Sequence, residues 1–413
     1  MLAKQKVVIV GGGSGGDAAA FMLRKKGFDG EVTILSADQD RPYDRPYLSK
    51  EFLRGEVDLP KVYLHGEEDY SGQRIELRLK TRVSGGSLQQ RRLELESGDN
   101  VEFDVLVLSL GGTPRWLPSV PHAANVFTLR TLRDSDAIKQ ALQASKRLLL
   151  VGAGFIGAEV GASARSLGKE VLMVEAAQVP LSRALGDEVG RVYASIHRDH
   201  GVDVRTGTQV EDWHLKGDRV TDVSLTDGKR EEVDMVLLAV GIDPNLDLPK
   251  ALNLPIEGPG VRTDEALKAA ENVYVAGDIA FHHHPLLGRA IRVEHWEVAK
   301  GQGRGIATSI AAGKSTPYAK VPYFWSDQYD VSLEYRGNAS GEDQAVWRGD
   351  RDGLHFSVFY LRDGMVDAVL SMNDKEGGEA GAKLIESRHK VDAKALSDSK
   401  VDLAQLAPAG KPG

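Results

Sequence analysis

Six glycines in the sequence have the spacing that holds the phosphates of a dinucleotide. They form the pattern G-x-G-x-x-G twice, at Gly11, Gly13 and Gly16 and again at Gly152, Gly154 and Gly157. Glycine permits a tight turn and lets backbone N–H groups approach a pyrophosphate, which the N-terminus of the following helix then faces. We therefore expect both loops to line dinucleotide sites, together with the intervening residues Ser14, Gly15, Phe155 and Ile156.

The residues that would meet the adenosine ribose differ between the two loops. Glu175 lies 18 residues after Gly157, where an acid can hydrogen-bond the ribose and repel a 2′-phosphate, and the following "AAQVP" has no arginine to receive that phosphate. The second loop therefore favours NADH over NADPH. At the equivalent place after the first loop the sequence has Ser36 and Ala37, with Asp38 further on. We expect Ala37 to line this site, and the group that holds its ribose stays open.

A third element adds an acid to the first site. Residues 272–280, "NVYVAGDIA", have the pattern of a buried strand that ends in Gly277 and Asp278. An acid directly after such a strand could contact a polar group of a long cofactor such as FAD, which crosses the ends of the strands. Asp278 could also cap the N-terminus of a helix, and the two roles can coexist.

The stretch "RPYDRPYLSK", residues 41–50, is a rigid and positively charged connection. Pro42 and Pro46 fix φ and remove backbone donors, and they bias the residues before them towards extended geometry. The prolines would hold the cations Arg45 and Lys50 in position. The alternative is a solvated basic turn.

Glu159 follows Gly157 by two residues, inside the first turns of the helix after the second loop. Its carboxylate could lie near the nicotinamide end of the site. It could also simply complement the positive end of the helix dipole.

The elements that position these residues occur twice in the chain. Apolar runs typical of buried parallel strands, "KVVIV" and "EVTIL", enclose the first loop and its helix, and "RLLLV" and "EVLMVE" enclose the second. About 90 to 100 residues after its first glycine, each unit continues into a strand that ends in a Gly-x-x-Pro turn, at residues 104–115 and 234–245. This internal similarity predicts two nucleotide-binding modules, with Gly241 of the second turn at the NAD site.

Composition excludes several functions. The net charge of −8 over 413 residues argues against general nucleic-acid binding, and no apolar run is long enough for a membrane-spanning helix. The first strand begins within a few residues of the N-terminus and leaves no room for a signal peptide, so we expect a cytoplasmic protein. The sequence has no cysteine, which excludes disulfides, thiolate metal sites and any dithiol redox centre.

The run "FHHHPLLG" is a candidate metal site. Because His282, His283 and His284 are consecutive, their side chains would diverge in an extended loop and could not all reach one ion. No acid cluster lies nearby in the sequence to complete a site. We therefore predict a solvated loop and no metal.

Several motifs together resemble the FAD-dependent ferredoxin reductases of oxygenase systems. They are "PYDRPYLSK", "GAGFIGAEV", "VAGDIA", "VEHWEVAKGQGR" and "YFWSDQYD", and the resemblance covers essentially the whole chain. This family includes reductases of the putidaredoxin reductase and biphenyl-dioxygenase type, with apoptosis-inducing-factor-like proteins as relatives. The resemblance implies an α/β fold with two Rossmann-like, glutathione-reductase-like dinucleotide-binding domains and a C-terminal α+β domain. We predict an FAD domain at residues 1–113 and 246–322, an NAD domain at 114–245 and a C-terminal domain at 323–413.

The resemblance also implies a function. NADH would reduce FAD by hydride transfer, and the reduced flavin would pass single electrons to a small iron–sulfur protein, either a [2Fe-2S] ferredoxin or a Rieske protein. Because the chain has no cysteine pair, it cannot be a disulfide reductase, and electrons must leave the flavin directly. A redox-sensing flavoprotein similar to apoptosis-inducing factor and an NADH oxidase without a dedicated ferredoxin stay open as alternatives. We expect a monomer or a homodimer.

The resemblance assigns roles to individual residues. Lys50 would lie beside the reactive edge of the flavin and pair with Glu159, which orients the nicotinamide, and Arg45 would pair with phosphate or adenosine groups of FAD. Trp296 and Trp325 would line the isoalloxazine. The other expected contacts are Val83 and Arg130 with FAD and Arg183 with NAD.

Overall fold

The computed structural model describes residues 5–406, except for the side chain of Arg183. It confirms the predicted fold class, with two α/β units built on parallel sheets and a C-terminal domain built on an antiparallel sheet. The residues after 406, which end the predicted C-terminal domain, lie outside the described part of the chain.

Residues 6–244 form two units of strands and helices. The elements of the first unit are β1 (Lys6–Val10), α1 (Ser14–Lys25), β2 (Glu31–Leu35), α2 (Glu51–Arg54), α3 (Leu59–Val62), α4 (Glu67–Gly72), β3 (Ile75–Arg78), β4 (Val83–Ser87), β5 (Arg92–Leu95), β6 (Asn100–Glu102), β7 (Val105–Leu108) and β8 (Gly112–Pro114), with a 3₁₀ turn at Arg45–Ser49. Those of the second unit are β9 (Val126–Thr128), α5 (Leu132–Ala144), β10 (Arg147–Val151), α6 (Phe155–Ser166), β11 (Glu170–Glu175), α7 (Ser182–Leu185), α8 (Asp187–Asp199), β12 (Asp203–Thr206), β13 (Val210–Lys216), β14 (Arg219–Leu225), β15 (Arg230–Glu232), β16 (Met235–Leu238) and β17 (Ile242–Pro244).

The chain then returns to the first unit before it forms the third domain. The returning elements are α9 (Asp247–Ala251), β18 (Ile256–Glu257), β19 (Gly260–Thr263), β20 (Lys268–Ala270), β21 (Val273–Val275), β22 (Ala280–His284), β23 (Arg289–Ile291) and α10 (Trp296–Ala312), with a 3₁₀ turn at Gly277–Ile279. The C-terminal elements are β24 (Tyr323–Gln328), β25 (Val331–Gly337), β26 (Gln344–Asp350), β27 (His355–Arg362), β28 (Met365–Met372), α11 (Lys375–Ser387) and α12 (Ala393–Ser397), with a 3₁₀ turn at Leu403–Gln405.

The first sheet combines strands from the first and the returning segments. Its order is β20-β21-β7-β1-β2-β3, and every pairing except that of β20 is parallel. β1 and β7 are apolar and buried along almost their whole length, as continuous apolar runs predict for strands covered on both faces. Because parallel strands end at the same edge, the segments after β1, β7 and β21 converge there.

Helices α1 and α10 cover one face of this sheet and pack closely against each other. Ile306, Ala307 and Ile310 of α10 share a core with Ala19 and Leu23 of α1. The contact depends on glycine, because a Cβ on Gly303 would collide with the backbone carbonyl of Gly15. This close packing fixes the first glycine loop against α10.

The second sheet has the same design and joins the first unit through a short ribbon. Its order is β12-β11-β10-β16-β9, with all pairings parallel, and an antiparallel sheet of β13, β14 and β15 extends from it. The two Gly-x-x-Pro turns of the sequence meet each other, because β8 pairs with β17 in an antiparallel ribbon.

The C-terminal domain is a five-stranded antiparallel sheet in the order β24-β25-β28-β27-β26, packed against α11. It also packs on the second unit, where Leu333 and Phe356 of the sheet share a core with Tyr193 and Ile196 of α8. β24 therefore lies where it can contribute side chains to a site at α6.

Candidate active site

A cleft of about 740 Å³ lies where the strands of the first sheet end. Six of the residues predicted to contact FAD line it, namely Gly11, Gly13, Ala37, Arg45, Val83 and Arg130. Ser36 and Asp38 also line the cleft, and Asp38 accepts a hydrogen bond from the hydroxyl of Tyr43 at 2.8 Å. The group that would hold a ribose therefore stays open among these polar side chains.

Basic side chains outnumber acidic ones in this cleft. The lining includes Arg45, Lys80, Arg82, Arg130 and Arg133 against Asp38, Asp134 and Asp247. Sequence reasoning missed Lys80, Arg82 and Arg133, although the basic run "LKTR" that follows β3 was a visible signal for Lys80 and Arg82. The excess of positive charge suits an anionic ligand.

The guanidinium of Arg45 lies over the first glycine loop. A Cβ on Gly13 would be 3.3 Å from its Nη1, so any larger residue at Gly13 would crowd it. Burial lowers the pKa of Arg45, and the nearby Arg130 lowers it further. Nε of Arg45 is buried and has no hydrogen-bond partner within residues 5–406. The first glycine loop, which has no side chains at its glycines, and the unpaired Nε–H of Arg45 fit the pyrophosphate of FAD.

Asp278 holds the second guanidinium of the cleft. Its Oδ2 lies 2.6 Å from Nη2 of Arg130, and its carboxylate is almost fully buried. The N-cap of the 3₁₀ turn at Gly277–Ile279 is Ala276, and Asp278 lies inside the turn, so the expected N-cap role of Asp278 is wrong. The N–H of Gly277 donates to Oε1 of Gln302 at 2.7 Å, which ties this turn to α10.

Lys50 and Glu159 form a buried ion pair between the two nucleotide-binding units. Nζ of Lys50 lies 3.6 Å from Oε1 of Glu159, and their side chains are 6% and 8% exposed. Lys50 lies between the 3₁₀ turn at Arg45–Ser49 and α2, whereas Glu159 lies in the first turns of α6. The structure thus brings together the two residues expected to act as a pair, and their catalytic role stays a prediction.

Two hydroxyls complete the surroundings of Glu159. Ser49 donates to its Oε2 at 2.5 Å, and Ser326 donates to its Oε1 at 2.8 Å. Within residues 5–406, the hydrogen bonds and the ion pair of this carboxylate are all with donors. Sequence reasoning missed both serines, although Ser49 directly precedes Lys50 and Ser326 lies in "YFWSDQYD".

The two predicted tryptophans lie beside this ion pair. The rings of Trp296 and Trp325 meet edge to face with centroids 5.9 Å apart, and Nζ of Lys50 lies 5.8 Å from the centroid of Trp325. Nζ of Lys300 lies 4.0 Å from the centroid of Trp296. Nε1 of Trp296 is buried without a partner in the part of the chain that the structure describes. The geometry forms an aromatic wall next to Lys50.

His295 belongs to the same group and was missed from the sequence. Its ring lies 5.7 Å from that of Trp325, and its Nδ1 is buried without a partner among the described residues. Burial lowers the pKa of His295 to about 4, and the charge of Lys50 lowers it further whereas Asp278 opposes the shift. The ring is therefore neutral at neutral pH. Its position directly before Trp296 in "EHW" was the available signal.

The second glycine loop lies between β10 and α6. Gly154 is the N-cap of α6, and Gly152 and Gly241 both have positive φ, at 100° and 94°. The carboxylate of Glu175 accepts hydrogen bonds from the backbone N–H groups of Ala153 at 2.8 Å and Ala177 at 2.9 Å. These bonds fix the carboxylate of Glu175 next to the second glycine loop.

The other predicted NAD contacts lie around this loop. Ile156 is 43% exposed, and the ring of Phe155 meets that of Phe324 edge to face at 5.1 Å. Gly157 lies within α6, where it packs against Gly152 and Ala239. Arg183 belongs to α7, but its side chain lies outside the description, so its expected NAD contact stays a prediction.

The histidine run does not form the expected solvated loop. His282 and His284 point inward from β22 and are buried, because every second residue of a strand faces the same side. In residues 5–406 no group of three or more histidines and acids could hold a metal ion. No helix in this range is long and apolar enough to cross a membrane.

Comparison with known proteins places the chain among flavin-linked reductases. Residues 5–303 match the model of the pyridine nucleotide-disulphide oxidoreductase family, and residues 323–407 match the reductase C-terminal family. The chain is 35% identical to putidaredoxin reductase CamA of Pseudomonas putida, with 100% of this chain and 99% of that protein covered. It is 33% identical to the ferredoxin–NAD(+) reductase component of the anthranilate 1,2-dioxygenase system of Burkholderia cepacia, with 92% and 94% covered.

A solved structure agrees with these similarities. The reductase in the covalent putidaredoxin reductase–putidaredoxin complex superposes with a TM-score of 0.94 at 34% identity, with 99% of this chain and 100% of that chain covered. The similarity therefore includes the C-terminal domain as well as both nucleotide-binding units.

Proposed function

The chain belongs to the pyridine nucleotide-disulphide oxidoreductase family, and from this premise we propose that it is an NADH-dependent ferredoxin reductase. It takes a hydride from NADH into FAD and passes single electrons to a small iron–sulfur protein, a [2Fe-2S] ferredoxin or a Rieske protein. The observation that carries this proposal is the buried ion pair of Lys50 and Glu159, which joins the FAD-side segment to helix α6 of the NAD unit beside an aromatic wall. A cytoplasmic location belongs to the proposal.

The first unit, residues 1–113 and 246–322, is assigned to FAD. When bound there, FAD supplies the hydride acceptor and the centre that releases electrons one at a time. The first glycine loop and Arg45 hold the pyrophosphate, and Asp278 keeps Arg130 turned into the cleft. The first glycine loop is supported by the residues at the start of α1, which are Ser14, Gly15 and Gly16, and by Gly277 at the start of the 3₁₀ turn.

Lys50 and Glu159 are assigned to the hydride transfer. Lys50 would supply a fixed positive charge beside a bound flavin and would stabilise the negative charge of its reduced form. Glu159, in the first turns of α6, orients the nicotinamide towards that edge. Trp296 and Trp325 enclose the site, so the transfer takes place away from bulk water.

The second unit, residues 114–245, is assigned to NADH. The loop at Gly152, Gly154 and Gly157 receives the pyrophosphate, and Glu175 faces the adenosine ribose. An acid at this place disfavours the 2′-phosphate of NADPH.

The electron acceptor is assigned from the chemistry of the chain and from its relatives. Without cysteine, the protein has no thiol to relay electrons, so they leave from the flavin itself. Relatives named ferredoxin–NAD(+) reductase components, and a reductase solved in a covalent complex with putidaredoxin, support an iron–sulfur acceptor.

Three measurements on the purified protein test the proposal. The protein should hold about one FAD per chain, the flavin should be bleached by NADH within seconds in a stopped-flow mixer, and a [2Fe-2S] ferredoxin should be reduced with many turnovers. A folded protein that holds no flavin, or whose flavin NADH does not reduce, would refute the proposal. A long-lived reduced flavin–NAD⁺ complex with negligible ferredoxin turnover would instead indicate the redox-sensing alternative.

A further inference from the structure

A buried row of polar side chains leads away from Glu159. Ser326 donates to Glu159 at 2.8 Å, and Nε2 of Gln328 donates to Oγ of Ser326 at 3.0 Å. Oε1 of Gln328 lies 2.8 Å from Nε2 of His197, and Nδ1 of His197 lies 3.0 Å from the hydroxyl of Tyr329. The row is thus continuous from the carboxylate of Glu159 to the partly exposed Tyr329.

The hydrogen bonds of this row all point in one direction. Gln328 can accept only with Oε1, so Nε2 of His197 carries the proton and donates to it. Burial lowers the pKa of His197 to about 4, although Gln328 opposes the shift, so the ring is neutral and its Nδ1 accepts from Tyr329. The Oγ of Ser326 accepts a hydrogen bond from Nε2 of Gln328, so its own O–H is left to donate to Glu159. Each hydrogen bond of the row is therefore donated in the direction of Glu159.

The row joins two domains at the site. Ser326 and Gln328 lie in β24 of the C-terminal domain, whereas Glu159 and His197 lie in α6 and α8 of the second unit. Ser326, Gln328 and His197 are 1%, 3% and 2% exposed. Buried polar groups cost free energy unless each one is satisfied, and these are satisfied by one another. Apolar residues could fill the same space without needing hydrogen-bond partners, so packing alone does not explain why Ser326, Gln328 and His197 are polar.

Both oxygens of Glu159 are consequently held from different sides. Oε2 accepts from Ser49 of the first unit, and Oε1 accepts from Ser326 of the C-terminal domain while facing Lys50. A carboxylate fixed in this way has one orientation relative to Lys50. Without Ser326, only the hydrogen bond from Ser49 and the ion pair with Lys50 would hold this orientation.

On the basis of the proposed function, we propose that Ser326, Gln328 and His197 are positioning residues, which hold the Glu159 carboxylate in the orientation that hydride transfer from NADH requires. They act through Glu159 and touch neither nucleotide themselves. The C-terminal domain is thereby part of the hydride-transfer site.

The first test compares single variants by stopped-flow reduction of the bound flavin at saturating NADH. Ser326→Ala and Gln328→Met should each lower the rate constant of reduction about tenfold and weaken the charge-transfer absorbance of the reduced flavin–NAD⁺ complex. Ser326→Thr keeps the hydroxyl and should restore most of the rate. The matched control is Asp327→Asn, on the exposed face of the same strand, which should keep the wild-type rate and absorbance.

The second test separates positioning from general damage by double-mutant cycles. In a Glu159→Ala background, Ser326→Ala and Gln328→Met should lower the rate by less than twofold more, because the group they position is gone. The same non-additivity should appear in thermal unfolding midpoints of the Glu159→Ala and Ser326→Ala variants, a measurement that does not depend on catalysis. If Gln328→Met does not fold, Ser326→Ala and Ser326→Thr test the positioning role by themselves.

Two results would overturn the inference. One is a Ser326→Ala protein whose flavin is reduced at the wild-type rate. The other is a loss of rate that persists undiminished in the Glu159→Ala background, which would show damage unrelated to the carboxylate. A wild-type protein whose flavin NADH does not reduce would refute the proposed function instead, and the unfolding cycle would still report whether Ser326 contacts Glu159.

Discussion

At the scale of single residues, the ion pair of Lys50 and Glu159 makes the sharpest prediction. Lys50→Ala removes the positive charge near the reduced flavin, so it should lower the two-electron potential of the flavin and slow its reduction by NADH about tenfold, which corresponds to about 1.4 kcal/mol. Glu159→Ala should leave FAD bound but disturb nicotinamide placement, visible in the charge-transfer absorbance. Because each single change leaves a buried charge without its partner, the double variant should lose less than the sum.

Stopped-flow reduction of the four proteins, together with a redox titration, measures these effects. Additive losses in the double variant would show that the two charges act separately. A Lys50→Ala protein that is reduced as fast as the wild type would mean that the segment 41–50 anchors the cofactor and takes no part in the chemistry.

Glu175 carries the second residue-scale prediction. Its carboxylate is fixed by the N–H groups of Ala153 and Ala177 beside the second glycine loop. We expect NADH to be preferred over NADPH by at least about tenfold in kcat/KM, a difference of about 1.4 kcal/mol. Glu175→Ala should shrink this ratio by improving the use of NADPH. Steady-state kinetics with both coenzymes measure it, and equal use by the wild type would show that the acid does not face the ribose.

Part of the site was identified from local signals in the sequence, and the rest, including Val83, Arg130, Trp296 and Trp325, came from the family resemblance. The glycine spacing, the acid after β11 and the "PYDRPYLSK" motif are each read within a few positions. Ser326 and His197 were missed because their importance comes from contacts with distant residues, 167 positions away at Glu159 for Ser326 and 131 positions away at Gln328 for His197. Such contacts depend on how whole domains pack, and no short pattern records them.

At the scale of elements, the packing of α1 against α10 makes a prediction about cofactor retention. Gly303→Ala would push a methyl group into the carbonyl of Gly15, at the start of α1, so the helices must separate and the first glycine loop must move. We expect a lower unfolding midpoint and FAD that is lost on gel filtration. Flavin absorbance per chain after desalting measures this. Gly72→Ala, in α4 where a Cβ meets no atom within 4 Å, is the matched control and should retain FAD.

A Gly303→Ala protein that keeps its flavin and its midpoint would show that α1 and α10 can separate at little cost.

The element scale is also where a sequence interpretation failed. The run 280–284 is a strand, paired with β19 and β23, although its three histidines suggested a solvated loop. Polar residues can occupy buried strand positions when neighbouring strands cover them, and the identity of those strands was not visible in the run itself.

At the scale of the whole molecule, three domains meet at one carboxylate. Glu159 of the second unit contacts Ser49 and Lys50 of the first and Ser326 of the C-terminal domain. The fold class was predictable because the repeated strand–loop–helix–strand pattern is local and occurs twice. The family resemblance also anticipated the pairing of Lys50 with Glu159 and the approach of Trp325. The contact of Ser326 with Glu159 was not predictable, because it follows from the placement of the antiparallel sheet on α8 through apolar contacts such as those of Leu333 and Ile196.

The buried histidines make a prediction for the stability of the whole protein. Burial lowers the pKa of His282 to about 3, with the neighbouring His284 and His283 contributing, and burial lowers the pKa values of His197 and His295 to about 4. In the unfolded chain each ring titrates near its ordinary value of about 6.5. Between these values the unfolded chain binds more protons than the folded protein, so stability is full above about pH 6.5 and is lost as the pH falls towards 4.

Each such histidine should cost on the order of 1 to 2 kcal/mol of the free energy of unfolding at pH 5 relative to pH 7.5. Thermal unfolding of the wild type should therefore show a clearly lower midpoint at pH 5. His282→Leu removes one titrating ring whose Nε2 has no partner within residues 5–406, so it should reduce this drop without abolishing it, because His197 and His295 still contribute. His355→Gln is the control, since its exposed ring meets solvent in the folded and in the unfolded chain alike and the drop should persist. A wild-type midpoint that does not change between pH 7.5 and pH 5 would show that protonation of the buried histidines does not oppose folding. A His282→Leu protein with the full wild-type drop would show that His282 is not one of the groups whose protonation opposes folding.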